Sequence, residues 1–377
     1  MITESTPGKL TIAVLFGGRS GEHEVSLMSA RSVLSVLDRA RYNVIEVGIT
    51  HEGAWLTGEN VLAAFERGAV GGLLPACLHP DPSRPGLYVI RDGGEREILE
   101  KLADVDVYFP VLHGSYGEDG TLQGLFEMAD VAYVGAGVVG SSVGMDKGVF
   151  KDVMRAQGIP VVESIVALRS EIESDMESII RRSEAVSDYP LFVKPANLGS
   201  SVGVTKCRTR SDLAEGLMDA AQYDRRVLIE RGVPQAREIE ISVLGNNDPQ
   251  ASLAGEIIPG ADFYSYDAKY VLDTSVPVIP AVLTESQAAR VRDYAIRAFK
   301  AIDACGMARV DFFVTQTGEV FLNEINTIPG FTKISMYPKL WEASGLPYPK
   351  LVSRLIELAL ERKTERGRTV RAYRRDA

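Results

Sequence analysis

Ala308–Asn326 reads ARVDFFVTQTGEVFLNEIN. Thr317-Gly318 stands between two β-rich runs, and because glycine takes φ > 0 without steric cost the pair is a two-residue hairpin signal. That turn pairs Gln316 with Glu319, and counting back sets Asp311 opposite Glu324 and Arg309 opposite Asn326. Side chains alternate with period two, so these four polar groups share one face, and Phe312, Val314, Phe321 and Ile325 take the other. Asp, Glu and Asn are hard oxygen ligands, and two carboxylates with an amide suit Mg²⁺ held together with nucleotide phosphates. A solvated strand face with a cross-strand salt bridge has the same spacing. The Asn-Thr-Ile-Pro-Gly that follows at once, odd on a plain edge, favours the metal reading.

Upstream, Phe192-Val193-Lys194-Pro195 leads into ANLGSSVG (Ala196–Gly203) and then Val204-Thr205-Lys206. The loop joins two strands, with no Gly-Lys-Ser/Thr opening a helix, so it is not a Walker A loop. A strand–loop–strand flap still presents backbone N–H groups and hydroxyls to phosphates, and Lys194 adds a point charge. Alone, a Gly-Ser hairpin says little; with the downstream carboxylate pair it points to a nucleotide site.

The first third alternates strand and helix: a buried parallel strand at Leu10–Phe16, a helix from Val25, a strand at Tyr42–Ile49, another at Val105–Leu112, then a helix and a short strand at Val131–Val134. Residues 75–97, rich in Pro, Gly and charge, read as a surface insertion. This is a doubly wound α/β pattern, whose ligands gather at the carboxyl ends of the strands. Two loops lie at such ends, GGRSGEHEVS (Gly17–Ser26) and HGSYGEDG (His113–Gly120). The first lacks G-x-G-x-x-G spacing and no acidic residue closes the second strand, which argues against a dinucleotide fold. His113 reads equally well as a turn histidine or a functional one.

From Gly135 the pattern becomes α+β. A helix from Met145, strands at Val161–Leu168, Leu191–Lys194, Val202–Lys206 and Val227–Glu230, and helices through the 170s and at Leu213–Ala221 make a middle unit. Strands at Ile239–Leu244 and Ala251–Ile258 open the last unit. A capping box at Thr284-x-x-Gln287 starts a helix there, and a C-terminal helix begins near Lys350.

At 377 residues the chain exceeds one compact core and calls for two or three domains. A net charge of −10 argues against a nucleic-acid binder, and the basic tail Arg362–Arg375 reads as a frayed helix end in water. Cys77, Cys207 and Cys305 form neither a disulfide framework nor a zinc pattern, so a reducing compartment is expected. No signal peptide and no membrane span is expected.

Five motifs in order, GGRSGEHEVS, HGSYGEDGTLQG, MDK with VKPANLGSSVGV, YDAKY, and MARVDFF with NEINTIPGFTKISMYP, resemble those of the D-alanine–D-alanine ligases of the ATP-grasp superfamily. The resemblance runs from about Leu10 to about Leu360. It implies an N-terminal doubly wound α/β domain (1–135) followed by a two-part ATP-grasp fold, a small central domain (136–229) and a C-terminal domain (230–377). It implies ATP and two Mg²⁺ (or Mn²⁺) ions held by Asp311, Glu324 and Asn326. Lys147 and Lys194 match phosphate lysines, Ser201 the flap serine, Glu230 with the Arg231 and Val233 backbone the adenine hinge, Glu238 the ribose acid, and Lys269 a γ-phosphate lysine. Arg309 and the Gly330 amide match the groups on the first carboxylate and later the oxyanion. Glu22, linked to Ser200 and Tyr270, matches the acid on the substrate ammonium. His113 and Val25 match substrate-site positions, and Ser335 with the Met336 amide the second carboxylate's site.

The implied activity joins two D-alanines through a D-alanyl phosphate for peptidoglycan synthesis, in a cytoplasmic homodimer that touches neither nucleic acid nor membrane. The segment Pro75–Glu97 and the basic tail depart from the compact members, and neither touches a matched motif. Two rivals stand beside this reading: a ligase making a D-alanine–D-lactate or D-alanine–D-serine product, and a non-catalytic nucleotide-binding relative. Tyr270, where D-lactate ligases tend to carry Phe, favours an amine nucleophile. A lost metal ligand or phosphate lysine would favour the non-catalytic relative, and none is missing.

Overall fold

The computed structural model describes residues 8–199, 202–258, 276–332 and 334–370. Its first sheet is built on β1 (Leu10–Gly17), where Ile12 to Phe16 are all 0% exposed. The run is apolar throughout because both faces are covered. Ile12, Val14 and Phe16 pack with α1 (His23–Val36) and the C-terminal helix, while Ala13 and Leu15 pack with Tyr108 and with Phe126 of α2 (Thr121–Met128). Strands β2 (Tyr42–Ile49) and β7 (Val107–Pro110) flank β1 in parallel, with Leu10 opposite Tyr42 and Ile12 opposite Val107. In place of the short strand expected at Val131–Val134 there is an isolated parallel bridge between Tyr108 and Tyr133.

Residues 75–97, read as a surface insertion, form strands and their turns at the edge of this sheet. They fall within β4 (Leu74–Leu78), β5 (Leu87–Asp92) and the start of β6 (Glu97–Ala103), which with β3 (Trp55–Thr57) continue the sheet in the order β6-β5-β4-β3-β2-β1-β7. All these added pairings are antiparallel. Apart from Pro75 in β4, the Pro and Gly residues of the segment fall in its turns, and β6 is largely exposed, so the segment lacks the apolar runs of the parallel core.

The second sheet is antiparallel, β10-β9-β11-β8, from β8 (Ser164–Leu168), β9 (Leu191–Pro195), β10 (Thr205–Cys207) and β11 (Arg226–Arg231). The third, also antiparallel, runs β14-β13-β12-β15-β16 from β12 (Arg237–Gly245), β13 (Gln250–Ile258), β14 (Val276–Val278), β15 (Gly306–Val314) and β16 (Val320–Asn326). The capping box opens α3 (Glu285–Ala301), with Gln287 N donating to Thr284 Oγ1 at 3.3 Å and Thr284 N to Gln287 Oε1 at 2.9 Å. A further helix, α4 (Met336–Ala343), precedes α5 (Tyr348–Gly367). Pro338 disguises α4 in the sequence, but it falls in the first turn, where no intrahelical N–H is needed.

The hairpin register is partly as expected. Arg309 faces Asn326 and Asp311 faces Glu324, but nearer the turn Phe312 faces Leu322 and Val314 faces Val320. The turn is wider than two residues, with Thr315 N donating to Glu319 O at 3.0 Å. Between Leu322 and Glu324, Asn323 is an extra bulged residue that restores the register. The bulge also switches the faces: Val320 and Leu322 are buried, and Phe321, expected in the core, lies under the Arg231 guanidinium at 5.5 Å.

The start of the basic tail is not a frayed end. Arg362 and Arg366 of α5 pair with Glu127 at 2.9 and 2.6 Å, Lys363 lies 2.5 Å from Asp130, and Arg362 stacks 4.6 Å over the Tyr133 ring. These contacts tie the C-terminal helix back to the first sheet's unit.

Candidate active site

A cleft between the three sheet units is lined by Glu22, His113, Lys147, Arg309, Glu324 and Gly330, among others. Lys147 opens α6 (Lys147–Ala156). Asp146 caps that helix, accepting from Gly148 N and Val149 N at 3.0 Å each, and also holds Arg226 and Asn197. So fixed, Lys147 Nζ donates to Leu198 O at 2.8 Å and lies 3.5 Å from Glu324 Oε2. The same Asn197 donates its backbone N–H to Asp224 at 2.8 Å, which roots the glycine loop.

On the hairpin face, Arg309 grips Asp311 with two prongs, 2.7 and 2.6 Å long, and Asn326 Nδ2 donates to Asp311 Oδ2 at 3.1 Å. Glu240, opposite Asp311 on β12, lies 3.1 Å from Arg309. Burial opposes the charge on Arg309, but Asp311 and Glu240 outweigh it and raise its pKa well above the usual value. Sequence reasoning missed Glu240; its signal was the alternation Glu238-x-Glu240 in a strand entering the site. Two carboxylates and an amide on adjacent strands are the kind of donor set that fits a hard divalent cation, with Arg309 on Asp311 and Lys147 beside Glu324 offsetting its charge.

Gly330 follows the hairpin, and a Cβ there would meet Ser335 Oγ at 2.7 Å. Ser335 Oγ in turn bonds Thr332 Oγ1 at 2.8 Å, and Met336, first in α4, is 4% exposed. Gly330, Ser335 and Met336 thus come together. His113 is 4% exposed, with Nε2 2.9 Å from Ser29 Oγ and Nδ1 3.0 Å from Ile328 O. A carbonyl only accepts, so Nδ1 carries the proton and Nε2 accepts from Ser29. Burial lowers the histidine's pKa, against the pull of Glu22, and favours this neutral form. Glu22 is 8% exposed and fits against two glycines, since a Cβ on Gly114 or Gly199 would meet its Oε2 at 2.6 Å. Val25 is buried on α1.

A second group lies on the middle sheet. Lys194 of β9 hydrogen-bonds Glu230 of β11, and Lys151 of α6 reaches the other oxygen of Glu230 at 3.1 Å. Lys151 went unnoticed in the sequence, where a lysine on a short helix reads as surface. Arg231 pairs with Glu163 at 2.6 Å, Val233 is half-buried on the segment leading into β12, and Glu238 is half-buried within β12. Ser200, Ser201, Lys269 and Tyr270 lie outside the described residues.

Residues 11–136 match the family model described as D-ala D-ala ligase N-terminus, and residues 153–357 the one described as D-ala D-ala ligase C-terminus. The chain is 50% identical to a D-alanine–D-alanine ligase of Heliobacterium modesticaldum over 361 residues, 96% of this chain and 97% of the relative. It is 48% identical to the ligase of that name from Natranaerobius thermophilus, over 96% of this chain and 97% of the relative. Among solved structures it resembles the D-alanine-D-alanine ligase of Coxiella burnetii, with TM-score 0.78, 40% identity and 96% of each chain covered. It also resembles the VanG D-Ala:D-Ser ligase of Enterococcus faecalis, with TM-score 0.81, 34% identity, and 93% of this chain and 99% of that one covered.

Proposed function

The chain belongs to the D-alanine–D-alanine ligase family, and on that premise we propose that it couples ATP cleavage to the joining of two D-alanines through a D-alanyl phosphate. The observation that carries this reading is the single cleft in which Lys147, Arg309, Glu324 and Gly330 meet Glu22. Lys194, Glu230 and the Arg231–Val233 backbone hold the nucleotide base and phosphates, Glu238 the ribose, and Lys147, Ser201 and Lys269 the phosphate chain. Asp311, Glu324 and Asn326 hold two Mg²⁺ (or Mn²⁺) ions, whose chemistry is to offset charge on the phosphoryl oxygens. Arg309 and the Gly330 N–H fix the first D-alanine's carboxylate for in-line attack on the γ-phosphate, where positioning and charge do most of the work.

Glu22, with Ser200 and Tyr270, holds the substrate ammonium, and His113 and Val25 shape its pocket. Ser335 and the Met336 N–H receive the second carboxylate. When the second D-alanine's amine, having lost its ammonium proton, attacks the acyl phosphate and inorganic phosphate leaves, Arg309 and the Gly330 N–H face the oxyanion; losing one such donor typically costs about 10²–10³ in rate. The dipeptide serves peptidoglycan synthesis, and the enzyme acts in the cytoplasm as a homodimer. No helix among the described residues is long and apolar enough to cross a membrane.

Phosphate release from ATP, with D-alanine, L-alanine, D-serine and D-lactate offered in turn, tests the assignment. Turnover is expected with D-alanine and Mg²⁺, giving a dipeptide. Equal turnover with L-alanine, or none with any, overturns it.

A further inference from the structure

Ile328, two residues before Gly330, is held at both ends of its backbone by the loop that follows β7. Its N–H donates to Glu118 Oε1 at 2.9 Å, and its C=O accepts from His113 Nδ1 at 3.0 Å. The other oxygen of Glu118 accepts Gly114 N at 2.9 Å, so one carboxyl joins the loop to itself and to the segment after the hairpin. Ser29 of α1 closes the arrangement, lying 2.9 Å from His113 Nε2 and accepting from Phe331 N at 3.3 Å. Thus the residues on either side of Pro329-Gly330 are both tied to the first sheet's unit.

Glu118 is 9% exposed and lines the cleft, yet both its oxygens are committed to backbone. We infer that Glu118 is a positioning residue: with His113 it clamps the Ile328 peptide and thereby sets where the Gly330 N–H points. The inference rests on the function proposed for Gly330. Burial, seconded by the nearby Glu22, pushes the Glu118 carboxyl up to about 8, while the Gly114 and Ile328 N–H groups that it accepts from pull the other way. A displacement of about 1 Å at an oxyanion donor costs up to about 10²-fold in rate, which is what such a clamp prevents.

Two variants test this. Glu118→Gln keeps the size but turns one acceptor into a donor facing an N–H, and Glu118→Ala removes both acceptors. Amide hydrogen exchange of the peptide spanning Asn326–Thr332 reads the clamp, and steady-state turnover reads its consequence. The expected result is faster exchange of the Ile328 amide in both variants. With it, kcat falls by roughly 10-fold for Gln and further for Ala, while KM for ATP stays within about twofold. Unchanged exchange overturns the clamp. Faster exchange with unchanged kcat overturns its positioning role, as does a loss of kcat matched by a rise in KM for ATP or a collapse of the thermal midpoint. If the wild type makes no dipeptide, the proposed function fails, and the exchange readout still judges the clamp.

Discussion

The ammonium of Lys151 lies 3.1 Å from Glu230 Oε2, and their side chains are 1% and 3% exposed. Such a pair survives burial only because each charge has its partner, and here Lys194 shares the carboxylate. Lys151→Met strips one of two cations from a buried anion. It is expected to lower stability by about 2–4 kcal/mol, somewhat less than loss of a sole partner, and to raise KM for ATP. Urea denaturation with ATP titration checks this; an unchanged midpoint would mean that Lys194 alone balances Glu230.

Acid stability follows from the same pair. Burial alone would raise the pKa of Glu230, but Lys151 and Lys194 outweigh it and hold it at about 2, below the ordinary 4.5. Between those values the unfolded chain binds a proton that the folded chain refuses, so this stabilisation is full above about pH 4.5 and is lost as the pH falls toward 2. Glu230→Gln should therefore be less stable than wild type at pH 6, and the gap should shrink on acidification. Melting curves across that range decide it, and a gap that stays constant would assign the loss to packing.

The hairpin shows how far the sequence could be read. Counting from Thr317-Gly318 placed Asp311 opposite Glu324, and the structure agrees, yet only because a wider turn and a bulge at Asn323 cancel. Phe321 went to the wrong face because a bulge leaves no trace in a period-two pattern. The parallel core was legible because strands buried on both faces are apolar throughout, whereas the antiparallel strands from 74 to 103 were masked by their turns and their exposed charges. Glu118 lies within the HGSYGEDG loop, but its partner Ile328 lies 210 residues further on. Lys151 and Glu240 likewise take their meaning from neighbours on other elements, which local pattern cannot supply.

Glu324→Gln keeps the side chain's shape and removes a charge proposed to oppose two metal ions. Turnover should fall by at least about 10²-fold. Lys147, 3.5 Å from Glu324, loses an ion partner but keeps its bond to Leu198 O at 2.8 Å, so the fold should hold. Turnover measured over a Mg²⁺ series is the check, and near-wild-type activity at low Mg²⁺ would remove Glu324 from the metal site.

Gly199→Ala separates a contact that serves the reaction from one that serves the fold. A Cβ at Gly199 would stand 2.6 Å from Glu22 Oε2, too close for any real contact, with no backbone atom among its three nearest neighbours. The end of a glutamate side chain can move where backbone cannot, so the clash is relieved by swinging the Glu22 carboxylate aside. Stability should then change by no more than about 0.5 kcal/mol, as for a substitution that leaves the core intact. Substrate binding should suffer, because Glu22 is the group proposed to meet the D-alanine ammonium, and a displaced charge loses most of a charge-assisted hydrogen bond, about 1.5–3 kcal/mol. The expected signature is a KM for D-alanine raised by about 10-fold or more with KM for ATP nearly unchanged. Both come from one set of initial rates. If KM for ATP rises in step with KM for D-alanine, the added methyl has disturbed the glycine loop as a whole, and Glu22 is not the group through which Gly199 acts.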